Sequence, residues 1–225
     1  MKRLAAIISL CTMAAFASAA LAAGQASSTP PRTSHMTDTG LLHPATLTAK
    51  APESFQVKFT TTKGDFVVEV TRAWAPLGAD RFYNLVTHGF FTDAAFFRNV
   101  SGFIVQFGLS ANPAVNKVWQ AANIKDDKVT QSNAPGTLTF ATAGPNTRTT
   151  QLFINFGNNT FLDSQGFAPF GKVISGMDVV QKLYSGYGER PDQGAITSQG
   201  KPYLDKNFPN IDSIKSAAIV APAAN

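Results

Sequence analysis

Two stretches of this chain carry residues able to do chemistry, and what they lack is as informative as what they hold. Residues 141–154 read ATAGPNTRTTQLFI, without His, Cys, Asp or Glu. Residues 96–108 read FFRNVSGFIVQFG and supply one cation, Arg98, and one amide, Gln106, among aromatic side chains. A fixed cation beside apolar walls, with no group to move a proton, is poor equipment for hydrolysis or redox work. It suits a reaction in which no covalent bond is made or broken. Gln106 and Gln151 each adjoin apolar runs, so each amide needs a buried partner.

The rest of the chain adds no competing kit. Metal motifs, a phosphate-cradling Gly loop and a nucleophile elbow are all missing from the sequence. Residues 155–163 (NFGNNTFLD) are polar but offer one Asp, too little for calcium. His35 and His43 fall in a Ser/Thr/Pro-rich stretch and read as solvated. His88 sits near the end of a predicted helix, where it complements the helix dipole, and is assigned no chemistry.

The elements that must position Arg98 and Gln106 read as many short strands with two helices. Phe55, Val57 and Phe59 alternate with polar residues, and after the Lys63-Gly64-Asp65 turn Phe66, Val68 and Val70 do the same, which predicts a hairpin. Pro76 opens a helix whose Leu77, Phe82, Leu85 and Val86 recur at helical spacing before Gly89. Strands follow at 96–100 and 103–108, and Arg98 should share a face with Phe96 and Val100 by alternation. Residues 112–136 read as a long irregular surface loop. Further strands fit 137–142, 152–156, 169–174 and 211–220, a second helix fits 177–184, and 185–209 reads as Gly/Pro-rich loop. Short strands in this number point to a closed antiparallel β-barrel, because closure removes unpaired edges.

A length of 225 residues fits one domain with appendages, and 18 Phe are ample for a core. Met1, Lys2 and Arg3, an apolar Ala-rich run over 4–21, and Ala20-Leu21-Ala22 form a secretion signal over 1–22, with cleavage expected before Ala23. The only cysteine, Cys11, leaves with that leader, so thiol chemistry and disulfides are excluded from the mature chain. Without Lys2 and Arg3 the chain has 17 basic residues against 14 acidic, and no cationic cluster of the kind that nucleic acid needs. Residues 23–53 read as a flexible linker, and the ordered domain is expected over 54–221. The expectation is an exported protein, periplasmic or secreted, free of the membrane after cleavage and monomeric.

The spacing Phe96, Arg98, Phe103, Gln106, then the run 141–154, then Phe161-Leu162-Asp163 and Phe170-Gly171-Lys172-Val173, resembles the cyclophilin family of peptidyl-prolyl cis-trans isomerases. The similarity runs in order over about residues 55–220. It implies an eight-stranded antiparallel barrel capped by two helices, rotation about X–Pro bonds in folding proteins, proline-containing peptide segments as partners, and no cofactor or metal. Carried over by position, Arg98 resembles the catalytic Arg, with Gln106 beside it. Phe103, Ile104, Phe153, Phe161 and Leu162 resemble the proline pocket, Gln151 a polar member, and Ala141 and Thr142 the backbone that pairs with substrate. The chain departs from the common pattern at Phe161, where many members have Trp, at Phe167, near a common His, at Thr142, where Asn is usual, and at Ile104, where Met is usual. A proline-peptide-binding module or chaperone without turnover on the same fold is the alternative. A cation aimed at the amide argues against it.

Overall fold

The computed structural model describes residues 39–221. They lie within one compact unit. The leader expected at 1–22 lies outside the described residues.

The predicted hairpin is β1 (Ser54–Thr61) with β2 (Gly64–Thr71), in register from Ser54 opposite Thr71 to Thr61 opposite Gly64. Helix α1 (Pro76–Thr87) starts on Pro76, whose missing N–H costs nothing in a first turn. Six more strands follow: β3 (Arg98–Val100), β4 (Ile104–Phe107), β5 (Thr137–Phe140), β6 (Leu152–Asn155), β7 (Pro169–Ser175) and β8 (Ile214–Val220). They join one antiparallel sheet in the order β3-β4-β6-β5-β7-β2-β1-β8.

That sheet corrects the expectation of a closed barrel. It is an open, strongly curled half-barrel whose edges stand 14 Å apart, capped by helices. The edge strand β3 is only three residues long, and its Asn99 N–H donates to the Gly188 carbonyl at 3.2 Å. Between the chain before β3 and the chain before β8 there is a single bridge, Ala95 to Ser213. A very short edge strand covered by a loop is another way to limit unpaired groups. The need to hide edges therefore did not dictate a barrel.

The concave face is filled by phenyl rings. Phe59 stacks on Phe66 at 4.8 Å and meets Phe82, Phe91 and Phe107 at 6.2, 6.0 and 5.9 Å. Helix α1 contributes Ala79, Phe82 and Leu85, all fully buried. Pairs of this kind add about 0.5–1.5 kcal/mol each beyond area burial. Phe96 belongs to this core, 5.3 Å from Phe107, whereas β3 begins only at Arg98. The alternation expected to put Phe96 and Arg98 on one face therefore fails at the start of the strand.

Two stretches read as loop contain helices. Within 112–136 lies α2 (Pro113–Trp119), capped by the Asn112 side chain, which accepts from the Ala114 N–H at 2.9 Å. Within 185–209 lie α4 (Gln193–Gln199) and α5 (Lys201–Asn207), after a short α3 (Met177–Gln181). Ile196, Leu204 and Phe208 form a second small core with Ala95, Phe97 and Leu109. Order also begins before Ser54. Leu41 is buried, its carbonyl accepts from Trp119 Nε1 at 2.8 Å, and Ala51 N–H donates to Asp80 Oδ1 at 2.9 Å. Residues 39–53 are thus docked, not tether.

Buried polar side chains fix the loops that carry the site. Arg148, in the 141–151 loop, is buried and pairs with Asp127 at 3.0 Å and Asp126 at 3.4 Å. Asp127 also accepts from the Leu77 and Gly78 N–H groups in the first turn of α1, at 3.0 and 2.9 Å. One carboxylate therefore ties the loop to the helix. Nearby, Arg81 donates to the Ala122 and Thr149 carbonyls at 2.7 and 2.9 Å. Its burial, with some repulsion from Arg148, lowers its pKa to about 10.

A second polar knot lies under the 160–167 turn. Asp163 accepts from Ser132 Oγ, Asn133 N–H and Asn133 Nδ2 at 2.6, 2.9 and 2.8 Å. Partial burial alone would raise its pKa, but these bonds outweigh it and hold the carboxyl below its ordinary value. Asn133 also donates to the Phe167 carbonyl at 2.9 Å and accepts from Thr139 Oγ1 at 2.9 Å.

Asp127→Ala leaves Arg148 buried without its closest carboxylate, and urea unfolding should record a loss of about 3–5 kcal/mol; a loss under about 1 kcal/mol would mean the tie is not structural. For Asp163 the folded pKa is depressed, so its contribution is present above about pH 4 and is lost as pH falls through the lowered value. Unfolding across an acid series should therefore give Asp163→Asn a shallower fall in stability below about pH 4 than the parent shows. Equal slopes would remove the carboxylate from the account.

Candidate active site

Cross-strand partners in an antiparallel sheet point to the same face. Arg98 pairs with Gln106, and Gln106 pairs with Phe153. The three therefore form a row across β3, β4 and β6. The neighbouring row, Phe107 with Leu152 and Phe140, joins the phenyl-filled core. Arg98, Gln106 and Phe153 thus occupy the outer face of the half-barrel.

That outer face is itself covered. Ile104, Phe153 and Leu162 are buried in a cluster of their own, with Phe103, Ala141 and Phe167 packed around them. Phe161 is 55% exposed and stacks on Phe103 at 6.1 Å, and Phe167 meets Phe153 edge-on at 5.8 Å. Burial on both faces explains why β4 and β6 read as continuous apolar runs. The structure brings together every apolar residue expected in the pocket.

The polar residues form a chain across this face. The Arg98 guanidinium lies 5.8 Å from the Phe103 ring centre and is 25% exposed. Its Nη1 donates to Gln106 Oε1 at 3.4 Å, and Gln106 Nε2 donates to Gln151 Oε1 at 2.7 Å. Gly108 makes that last contact feasible. It has φ +103°, and a Cβ there would strike the Thr150 carbonyl oxygen and come within 2.9 Å of Gln151 Cα.

A cleft of about 230 Å³ runs on from the two glutamines, walled by Ala141, Thr142, Ala143, Thr147 and Gln193. Ala141 N–H is held by the Gln151 carbonyl at 2.9 Å. Thr142 Oγ1 turns into its own loop, bonding the Gly144 carbonyl and lying 2.8 Å from Thr147 Oγ1. Among the described residues no three His, Cys, Asp or Glu side chains converge as a metal site would require.

Two members escaped the sequence. Glu189, from the stretch read as loop, places Oε1 2.6 Å from Arg98 Nε and 2.5 Å from Nη2. Gln193 opens α4, a helix whose signal was the Asp192 cap, which accepts from Ala195 N–H at 2.6 Å. Nothing in hydrophobic spacing marks a carboxylate 91 residues from its partner.

Comparison with known proteins adds an independent line. Residues 56–201 match the family model described as cyclophilin type peptidyl-prolyl cis-trans isomerase/CLD. A peptidyl-prolyl cis-trans isomerase of Acinetobacter baylyi is 35% identical over 143 residues, covering 61% of this chain and 76% of that protein. One of Arabidopsis thaliana is 32% identical over 143 residues, covering 60% and 88%. A crystal structure of a Cryptosporidium parvum cyclophilin type isomerase superposes with a TM-score of 0.57 at 23% identity, over 75% of this chain and 99% of that one, a likeness of fold. With a cation, two amides and a phenyl-walled patch gathered on the outer face of its half-barrel, this chain belongs to the cyclophilin-type peptidyl-prolyl cis-trans isomerase family.

Proposed function

We propose that Arg98 is the catalytic cation of this isomerase and that the cluster around Phe153 holds the proline ring. The reaction is rotation about an X–Pro bond. Its barrier, about 18–20 kcal/mol, reflects amide resonance. Twisting removes that resonance. The prolyl nitrogen becomes pyramidal and regains a lone pair able to accept a hydrogen bond, which the planar amide lacks. A guanidinium aimed there binds the twisted state more strongly than the planar one, and that difference is what lowers a barrier.

The observation that carries this reading is the seating of Arg98 between Phe103 and Gln106, on the same face as Phe153. Arg stays charged at any working pH and offers a planar fork. A charge-assisted bond contributes about 1.5–3 kcal/mol, or about one to two powers of ten in rate. Phe103, Ile104, Phe153, Leu162 and Phe167 supply an apolar seat that immobilises the ring and sheds water. Water favours the more dipolar planar amide, so its removal helps the twist. Phe161, exposed on the rim, can cover the ring from the solvent side. Gln106, braced by Gln151, orients the guanidinium or the turning carbonyl. The cleft by Ala141 and Thr142 receives the peptide leading into the proline.

The place of action proposed is outside the cytoplasm, in a periplasm or secreted, with the protein a monomer acting on unfolded or folding chains. The support is the leader pattern over residues 1–22. Among the described residues no helix is long and apolar enough to cross a membrane.

Arg98→Ala should lower kcat/KM by about 10- to 100-fold in a protease-coupled assay on an X–Pro peptide, with Arg98→Lys recovering only part. A folded Arg98→Ala protein with near-normal turnover would refute the assigned role. Mass spectrometry of the exported protein should find Ala23 at its N-terminus. An intact leader on the mature protein would overturn the export reading.

A further inference from the structure

Residues 185–207 do more than connect α3 to β8. The backbone on both sides of Arg98's ion pair is locked. Buried Asn99, next to Arg98, donates its N–H to the Gly188 carbonyl at 3.2 Å and its side-chain amide to the Leu183 carbonyl at 2.8 Å. Glu189 follows Gly188 directly. Gly188 has φ +55°, a left-handed turn that glycine adopts freely.

The turn is anchored from below. The Tyr187 ring packs on Phe208 at 5.0 Å and on Tyr184 at 4.8 Å, and its hydroxyl accepts from Asn210 N–H at 3.2 Å. The neighbouring cation, Arg190, is turned back into the loop. It lies 5.1 Å from the Tyr187 ring centre and donates to the Gly186 carbonyl at 3.1 Å. Glu189 is thereby left to Arg98.

We propose that Glu189 is a positioning residue for the reaction, holding the Arg98 guanidinium in the orientation that meets the twisted prolyl amide. Its Oε1 contacts at 2.6 and 2.5 Å are much closer than the 3.4 Å contact from Gln106. An unrestrained arginine samples many rotamers, and each nonproductive one lowers the occupancy of the catalytic geometry. Glu189 engages Nε and Nη2, and Gln106 engages Nη1. That uses three of the five guanidinium N–H groups and leaves one on each terminal nitrogen for the peptide. The carboxylate is 62% exposed, so solvent screens the pair and its effect is modest.

This inference rests on the catalytic role of Arg98, and the experiment separates the two. In the full chain, Glu189→Ala should lower kcat about two- to five-fold while KM changes less than about two-fold. Glu189→Gln, which keeps an acceptor oxygen, should fall between the parent and Glu189→Ala. The Arg98 Nε–Hε resonance should be sharp in the parent, retained in Glu189→Gln and broadened or shifted toward the free-arginine position in Glu189→Ala. An unchanged or raised kcat in Glu189→Ala overturns the proposal, as does a rise in KM alone, which would make Glu189 a substrate contact. Normal turnover by Arg98→Ala would instead refute the underlying reading of Arg98, so the two failures are distinguishable.

Discussion

Strand register is the constraint on which everything else rests. In β4 and β6, Val105, Phe107, Leu152 and Ile154 point into the phenyl-filled hollow, and Ile104, Gln106 and Phe153 point out. Because side chains alternate strictly, a one-residue slip of β4 would push Gln106 among the rings and turn Phe107 outward. Burying an unpartnered amide and exposing a phenyl are both costly. The core thus sets the Cα positions of Arg98, Gln106 and Phe153 in one row, and the polar contacts of Arg98 and Gln106 act on that row.

Around that row the scaffold is braced by buried polar side chains. Arg148 and Asp127 fix the loop before β6 to the start of α1, and Asp163 with Asn133 fixes the turn that supplies Phe161, Leu162 and Phe167. A reaction that gains only from hydrogen bonds and shape needs such rigidity, because no covalent step compensates for a misplaced cation. Arg98, Ile104, Gln106 and Phe153 stand on strands, and Phe161, Leu162 and Phe167 on the braced turn.

The readable parts of the chain were those where spacing or residue type has a local cause. The β1–β2 hairpin followed from alternation and a Gly turn, and α1 from Pro76 and helical spacing. Arg98, Gln106 and Gln151 stood out as polar residues in or beside apolar runs, whereas Phe153 was assigned by the family resemblance. The helices α2, α4 and α5 were missed because each is seven residues long and offers barely two turns of periodicity. For α2 and α4 the better signals were Asn112-Pro113 and Asp192, caps that matter more than spacing in short helices. Residues 39–53 looked like tether since only Leu41 and Ala51 are buried and the ties run largely through backbone groups, to Trp119, Asn84, Asp80 and Arg72.

By itself the sequence determined that a permanent cation, amides and apolar side chains are the groups available to this site, and that the strands carrying them alternate between two environments. Those properties belong to residue types and to the two-residue period of a strand, so they are written locally. Tertiary structure alone decided that the sheet stays open, that its short edge is sealed by the Gly188 carbonyl, and that Glu189 meets Arg98. Periodicity reports which face of an element is buried but not which distant residue covers it. A partner 91 positions away is chosen by the path of the folded chain, and no local pattern records that path.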